Sequence, residues 1–190
     1  SGQRPKGGVR DAKNGIPSLG GEHIGRNGSI KKVDLKYIPL DFHKKHLQSA
    51  MKPLDILIVK DGATTGKTGI IPEDYPFREA NINEHLFRIR VLENVKPYYL
   101  FSFLQSKIGQ EQIKKEISGG TIMGIVRKAF NNLLIPLPPL PSQQKIAKEV
   151  KSRIDKANSL KNEANEIIIK AKEEDAKSVR KWAKELVSKI

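Results

Sequence analysis

Residues 59–71 read VKDGATTGKTGII, and the reading of this stretch decides the fold. Gly66-Lys67-Thr68 has the end of a phosphate-cradling loop, which would make the chain a nucleotide-binding protein. That loop also needs a glycine at position 61. Asp61 stands there, and Gly62 is one residue too close. Without the glycine, the backbone N–H groups do not readily converge on a phosphate. A helix should follow, with its N-terminus facing the phosphates. Instead Gly69-Ile70-Ile71-Pro72 follows. Glycine and proline around a β-branched pair predict a short strand. Upstream, residues 55–59 (DILIV) also predict a strand. The unit is strand, glycine-rich loop, strand. It places Asp61, Thr64, Thr65 and Lys67 on a flexible hairpin tip. A small P-loop-like NTPase stays as an alternative, to be judged by ATP binding and its loss in Lys67→Ala.

The chain around this stretch has 190 residues, a formal net charge of +14 and a pI near 9.9. That length allows one domain with a core plus an appendage. The charge favours a polyanionic partner, and nucleic acid above all. Cysteine is absent from the sequence, which excludes disulfides, thiolate zinc sites and cysteine nucleophiles. The composition fits a cytoplasmic protein. No apolar run approaches the ~20 residues of a membrane span.

The sequence changes character near residue 141. Residues 142–190 contain no Gly and no Pro, and Trp182 is their only aromatic residue. Such a stretch predicts one long helix, about 70 Å at ~1.5 Å per residue. Ile146, Val150, Ile154, Ala157, Leu160, Ala164, Ile167, Ile168, Ala171, Val179, Trp182, Ala183, Leu186 and Ile190 recur mostly at gaps of three and four, so one face is apolar. A domain of residues 1–141 cannot cover that whole length. The stripe therefore implies a partner helix, in this chain or another. A helix broken near 174 and folded back is the alternative, because Glu173, Glu174 and Asp175 interrupt the stripe. Before it, LLIPLPPLPS (133–142) predicts an extended strap that packs on the domain, with Ser142 as the helix N-cap.

Within 1–141 the pattern is mixed α/β. Strands are predicted near 33–38, 55–60, 69–71 and 84–91, the last alternating Leu86, Arg88, Arg90 against His85, Phe87, Ile89, Val91. Helices are predicted at 97–105, with Pro97 in the first turn, and at 109–117. A short helix at 40–48 carries His43 and His46. No third ligand stands nearby, so a surface helix is the better reading than a metal site.

Several segments together resemble one family. IPLPPLPSQQKIA (135–147) is similar to the motif that ends target-recognition domains in specificity subunits of type I restriction–modification systems, where a proline strap enters a spacer helix. DILIVKDGATTGKTGII looks like another station of that domain, with Leu54 in place of the usual glycine before Asp55. GIPSLGGEHI (15–24), NEH (83–85) and GGTIMGIVRKAF (119–130) look like further stations. The resemblance implies an α+β target-recognition domain (1–141) followed by a long amphipathic coiled-coil helix (142–190). It implies a non-catalytic subunit without a cofactor, reading one half of a split duplex DNA site. It also implies docking to methyltransferase subunits and, through them, the restriction subunit. With one domain and one helix, the chain is expected to be a fragment of a two-domain subunit or a half-size subunit that dimerises through its helix.

DNA recognition needs cations for phosphates, and amides or guanidinia for base edges. The candidates lie in glycine-bearing loops, where backbone can approach DNA closely. They are Arg4, Lys6 and Arg10; Thr64, Thr65 and Lys67; and Thr121, Arg127 and Lys128. Arg78, Asn81 and Asn83 are secondary candidates. A nonspecific nucleic-acid-binding or scaffold protein is the alternative to sequence recognition.

Overall fold

A computed structural model describes residues 1–9, 14–32, 34–120 and 123–187, with the side chains of the last helix described to 179. Arg10 and Thr121 lie outside the described residues, as do the side chains of Trp182 and Leu186. The chain divides into two compact units, Ser1–Val150 and Lys151–Ile190.

The first unit holds two three-stranded sheets. One has order β2-β1-β5, formed by β1 (Ile16–Leu19), β2 (Lys36–Ile38) and β5 (Asn81–Ile82). The other has order β4-β3-β6, formed by β3 (Ile56–Val59), β4 (Thr68–Ile70) and β6 (Leu86–Ile89). The opening stretch is thus an antiparallel hairpin, with Ile56 opposite Ile70 and Ile58 opposite Thr68. No helix follows Thr68, and that removes the nucleotide-loop architecture. β3 runs in the middle, and all four of its residues are buried. Leu19 and Ile82 from the first sheet share a core with Leu57, Val59 and Leu86 from the second. Each such side chain contributes ~1.5–3 kcal/mol of burial.

β1 and β5 escape the sequence pattern. β5 is two residues long, and β1 contains Pro17. Their parallel pairing, Ser18 to Asn81, is made by tertiary contact. The alternation along β6 does not divide a buried face from an exposed one. Leu86 and Phe87 are both buried, because Phe130 covers Phe87 edge-on at 5.2 Å and layers lie on both faces.

Helices α1 (Leu40–Lys45), α2 (Pro97–Gln105) and α3 (Lys107–Lys115) complete this unit. His43 is buried rather than on a surface, and Asn81 Oδ1 lies 2.5 Å from its Nδ1. The strap is pinned by hydrogen bonds. Tyr99 Oη donates to Pro136 O at 2.6 Å, and Leu134 N donates to Gln112 Oε1 at 2.7 Å. Its leucines do not all pack as expected: Leu134 and Leu137 face solvent.

The last helix, α4, runs unbroken from Leu140 to Val187, 48 residues or ~72 Å. It does not break at 174, where acidic side chains interrupt only the apolar stripe and not the backbone ladder. It begins two residues before Ser142, which therefore lies inside the first turn and is not the N-cap. Pro141 is tolerated there because its missing N–H would have no helical partner anyway. Gln143 locks this joint. Its Oε1 accepts from Lys96 N at 3.0 Å, and its Nε2 donates to Pro138 O at 2.8 Å. From Lys151 onward Leu160, Ile167, Ile168, Ile169 and Val179 are exposed.

Candidate nucleic-acid interface

The loop between β3 and β4 is built from close turns. Val59 N donates to Lys67 O and Gly66 N to Val59 O, both at 2.9 Å. Gly62 and Gly66 stand at φ +91° and +85°, values that favour glycine. The loop is not the free hairpin tip expected from sequence. Residues 123–125 run beside it: Gly62 N donates to Met123 O at 3.1 Å, and Ile125 N to Lys60 O at 2.8 Å. Thr65 Oγ1 donates to Gly62 O at 2.6 Å and lies 3.2 Å from Met123 O. Its hydroxyl proton serves this seam and is not free for a phosphate. The β3–β4 loop and the backbone at 123–125 are therefore one structure.

A polar cluster closes the base of this structure. Asp61 Oδ1 lies 2.5 Å from His85 Nδ1, and Lys60 Nζ lies 3.4 Å from Asp61 Oδ2. Glu84 Oε1 is 2.6 Å from Arg4 Nε and 3.3 Å from His85 Nε2. Arg4 is thus held by a carboxylate and keeps part of its guanidinium exposed. Asn83 Oδ1 accepts from His85 N at 3.0 Å and shapes the turn into β6.

The remaining candidates separate clearly. Thr64, Arg78, Arg127 and Lys128 are exposed, with Arg127 and Lys128 opening the short turn Arg127–Asn132. Lys6 is exposed and lines a shallow cleft with Gly7, Gly8 and Lys36. Asn81 is a correction. It is fully buried and hydrogen-bonded to His43, so it has no surface to offer DNA. Its side chain belongs to the inter-sheet core, a role that a polar residue between strands does not announce in sequence.

Lys67 is partly buried, and burial, followed by the charges of Lys31 and Arg26, holds its ammonium below the usual lysine range. Neither Arg26 nor Lys31 was a sequence candidate. Their available signal is the turn GRNG (25–28) between Ile24 and Ile30, which form an isolated antiparallel bridge. Two further residues missed from sequence, Asp55 and Arg90, underpin the hairpin. The buried Asp55 carboxylate accepts from Arg90 Nε and Nη2 at 2.7 Å each, and from Lys52 N at 2.7 Å. Arg88, which donates to Ala50 O, lies 4.0 Å from the same carboxylate. Leu54 just before it adopts φ +68°, the conformation that explains a glycine at this station.

Residues 2–169 match the family described as the type I restriction modification DNA specificity domain. The chain belongs to this family. It is similar to the specificity subunit of the type I restriction enzyme MjaVIII from Methanocaldococcus jannaschii, 28% identical over 165 residues. That match covers 84% of this chain and 38% of the relative. The specificity subunit of StySPI from Salmonella potsdam is 24% identical over 153 residues, covering 80% of this chain and 32% of the relative. The chain thus spans less than two fifths of either specificity subunit. Among solved structures, the HsdS subunit from Thermoanaerobacter tengcongensis superposes with a TM-score of 0.55 at 22% identity, covering 85% of this chain and 35% of that one. A chain solved in work on complex assembly and conformational transition of the type I R-M system gives 0.57 at 23% identity, with 85% and 36% covered. Both share this mixed α+β fold with its long helix. Among the described residues, no helix of the chain is long and apolar enough to cross a membrane, and no His, Cys, Asp and Glu cluster could hold a metal.

Proposed function

We propose that this member of the specificity-domain family reads one half of a split duplex DNA target, as the recognition part of a non-catalytic specificity subunit. The observation that carries this is the seam between residues 60–66 and the backbone of residues 123–125, which in turn pairs with Ser118. Backbone bonds join these glycine-bearing segments, and Lys60, Lys67, Arg127 and Lys128 flank them along the chain. Glycines permit close approach, cations take phosphates, and Thr64 presents a hydroxyl for a base edge or phosphate. Residues 1–141 would supply recognition. The helix 142–190 would supply assembly, because Ile146, Leu160, Ile167, Ile168 and Val179 are exposed along it. It would pair with another helix as a coiled coil and dock methyltransferase subunits, which bring the restriction subunit. A second copy of this chain, giving a homodimer, is one such partner.

The test is selection of bound duplexes from a random library by the full chain, with and without a methyltransferase subunit, across a salt series. Recognition predicts an enriched half-site and affinity that falls steeply with salt. Equal affinity for every duplex, with the methyltransferase present, would overturn sequence reading and leave a nonspecific binder. Light scattering on wild type and Leu160→Lys/Ile167→Lys checks the helix: loss of the associated species is expected.

A further inference from the structure

The loop at 24–30 is docked against β4 by two independent features. Ile70 N donates to Gly28 O at 3.1 Å. Gly69 leaves the space: a Cβ there would lie 3.0 Å from Ile24 Cγ2, 3.1 Å from Gly28 O and 3.2 Å from Ile30 Cδ1. The loop itself is closed by Gly25 N donating to Ser29 O at 2.7 Å, and Lys31 N donates to His23 O at 2.7 Å. This docking sets the turn that bears Arg26 and Lys31 beside β4, directly after Lys67, close enough for both charges to act on the Lys67 ammonium. Among the described residues no carboxylate pairs with any of the three. By contrast, Lys36, Lys60, Arg4 and Arg90 each have an acidic partner. Three like charges gathered without a counter-ion cost the fold free energy, and an anion between them would recover it.

We propose that Arg26, Lys31 and Lys67 form a phosphate clamp that takes the backbone of duplex DNA. This rests on the DNA-reading function proposed above. The clamp positions the duplex and carries no sequence information of its own. It extends the interface to the GRNG turn at 25–28, which lies outside the sequence candidates.

The experiment measures duplex affinity of the full chain from 50 to 200 mM salt, for wild type, Arg26→Ala/Lys31→Ala/Lys67→Ala and the control Lys44→Ala. The triple variant is expected to flatten the log–log salt slope by about 0.9 for each phosphate that is no longer neutralised, with an equal fall in affinity across sequences. Lys44→Ala is expected to leave the slope unchanged. Lys67→Gln is expected to weaken binding while raising resistance to urea, since it relieves repulsion; a purely structural lysine would lose stability instead. A wild-type slope in the triple variant overturns the clamp and spares the DNA-reading function. A loss confined to some sequences overturns the phosphate assignment, because the residues would then read bases. Wild type that binds no duplex overturns both.

Discussion

Gly62 and Gly66 offer a quantitative test of how the hairpin is held. Both have positive φ, but their surroundings differ. A Cβ on Gly62 would meet nothing within 4 Å, whereas one on Gly66 would lie 2.8 Å from Ile113 Cγ2 on α3. Alanine in the left-handed region costs ~1–2 kcal/mol. The stiffer unfolded chain returns ~0.4–1 kcal/mol of that. Gly62→Ala should therefore destabilise by about 1.6 kcal/mol or less. Gly66→Ala carries the same strain plus ~1–3 kcal/mol of overpacking, because Ile113 is buried and cannot swing away. In urea, with a slope of about 2 kcal/mol per molar, a 2 kcal/mol gap moves the midpoints apart by about 1 M. Ile113→Ala removes the offending methyl at its own cost of ~2–5 kcal/mol. Combined with Gly66→Ala, it should destabilise by at least ~1 kcal/mol less than the two single changes summed. Equal midpoints for Gly62→Ala and Gly66→Ala, or strict additivity in the double variant, would refute the packing of this loop on α3.

Other consequences follow from buried polar groups. Asp55→Ala leaves Arg90 without its bidentate partner and Lys52 N without its acceptor; because the Arg90 guanidinium is partly in solvent, a loss of ~1–3 kcal/mol is expected in chemical denaturation. Tyr75 has a buried hydroxyl without a hydrogen-bond partner, and burial raises its pKa to about 12. Tyr75→Phe should be neutral or stabilising by up to ~1 kcal/mol, and a late-ionising component in the ultraviolet titration of wild type should be lost in that variant. Lys67 has a lowered pKa, from burial and then from Lys31 and Arg26. Folded protein therefore releases this proton at lower pH than unfolded protein does. Its charge opposes folding below the folded pKa, and that opposition fades as pH rises through it. In alkaline buffer, DNA affinity should decline earlier in wild type than in Lys67→Arg, read by fluorescence anisotropy.

Sequence alone determined what rests on near neighbours along the chain. Gly69 and Pro72 around Ile70-Ile71 dictate a strand after the glycine loop, because φ/ψ preference is a property of a few consecutive residues. A stretch free of Gly and Pro with apolar gaps of three and four dictates the long helix for the same reason. The leucine–proline strap and the excess of cations were equally plain, and with the glycine loops they carried the family resemblance. Tertiary structure alone decided which distant segments meet. The two-residue strand β5 exists because β1 lies beside it, and the loops at 60 and 123 are one surface because their backbones pair across more than sixty positions. Burial also assigned the polar residues: Asn81 went to the core beside His43, and Thr65 to the seam. The charges of Arg26 and Lys31 act on Lys67 because their turn docks on Gly69. Contacts of this kind depend on loop closure and on which groups lose their water, and neither is written in any short window of sequence.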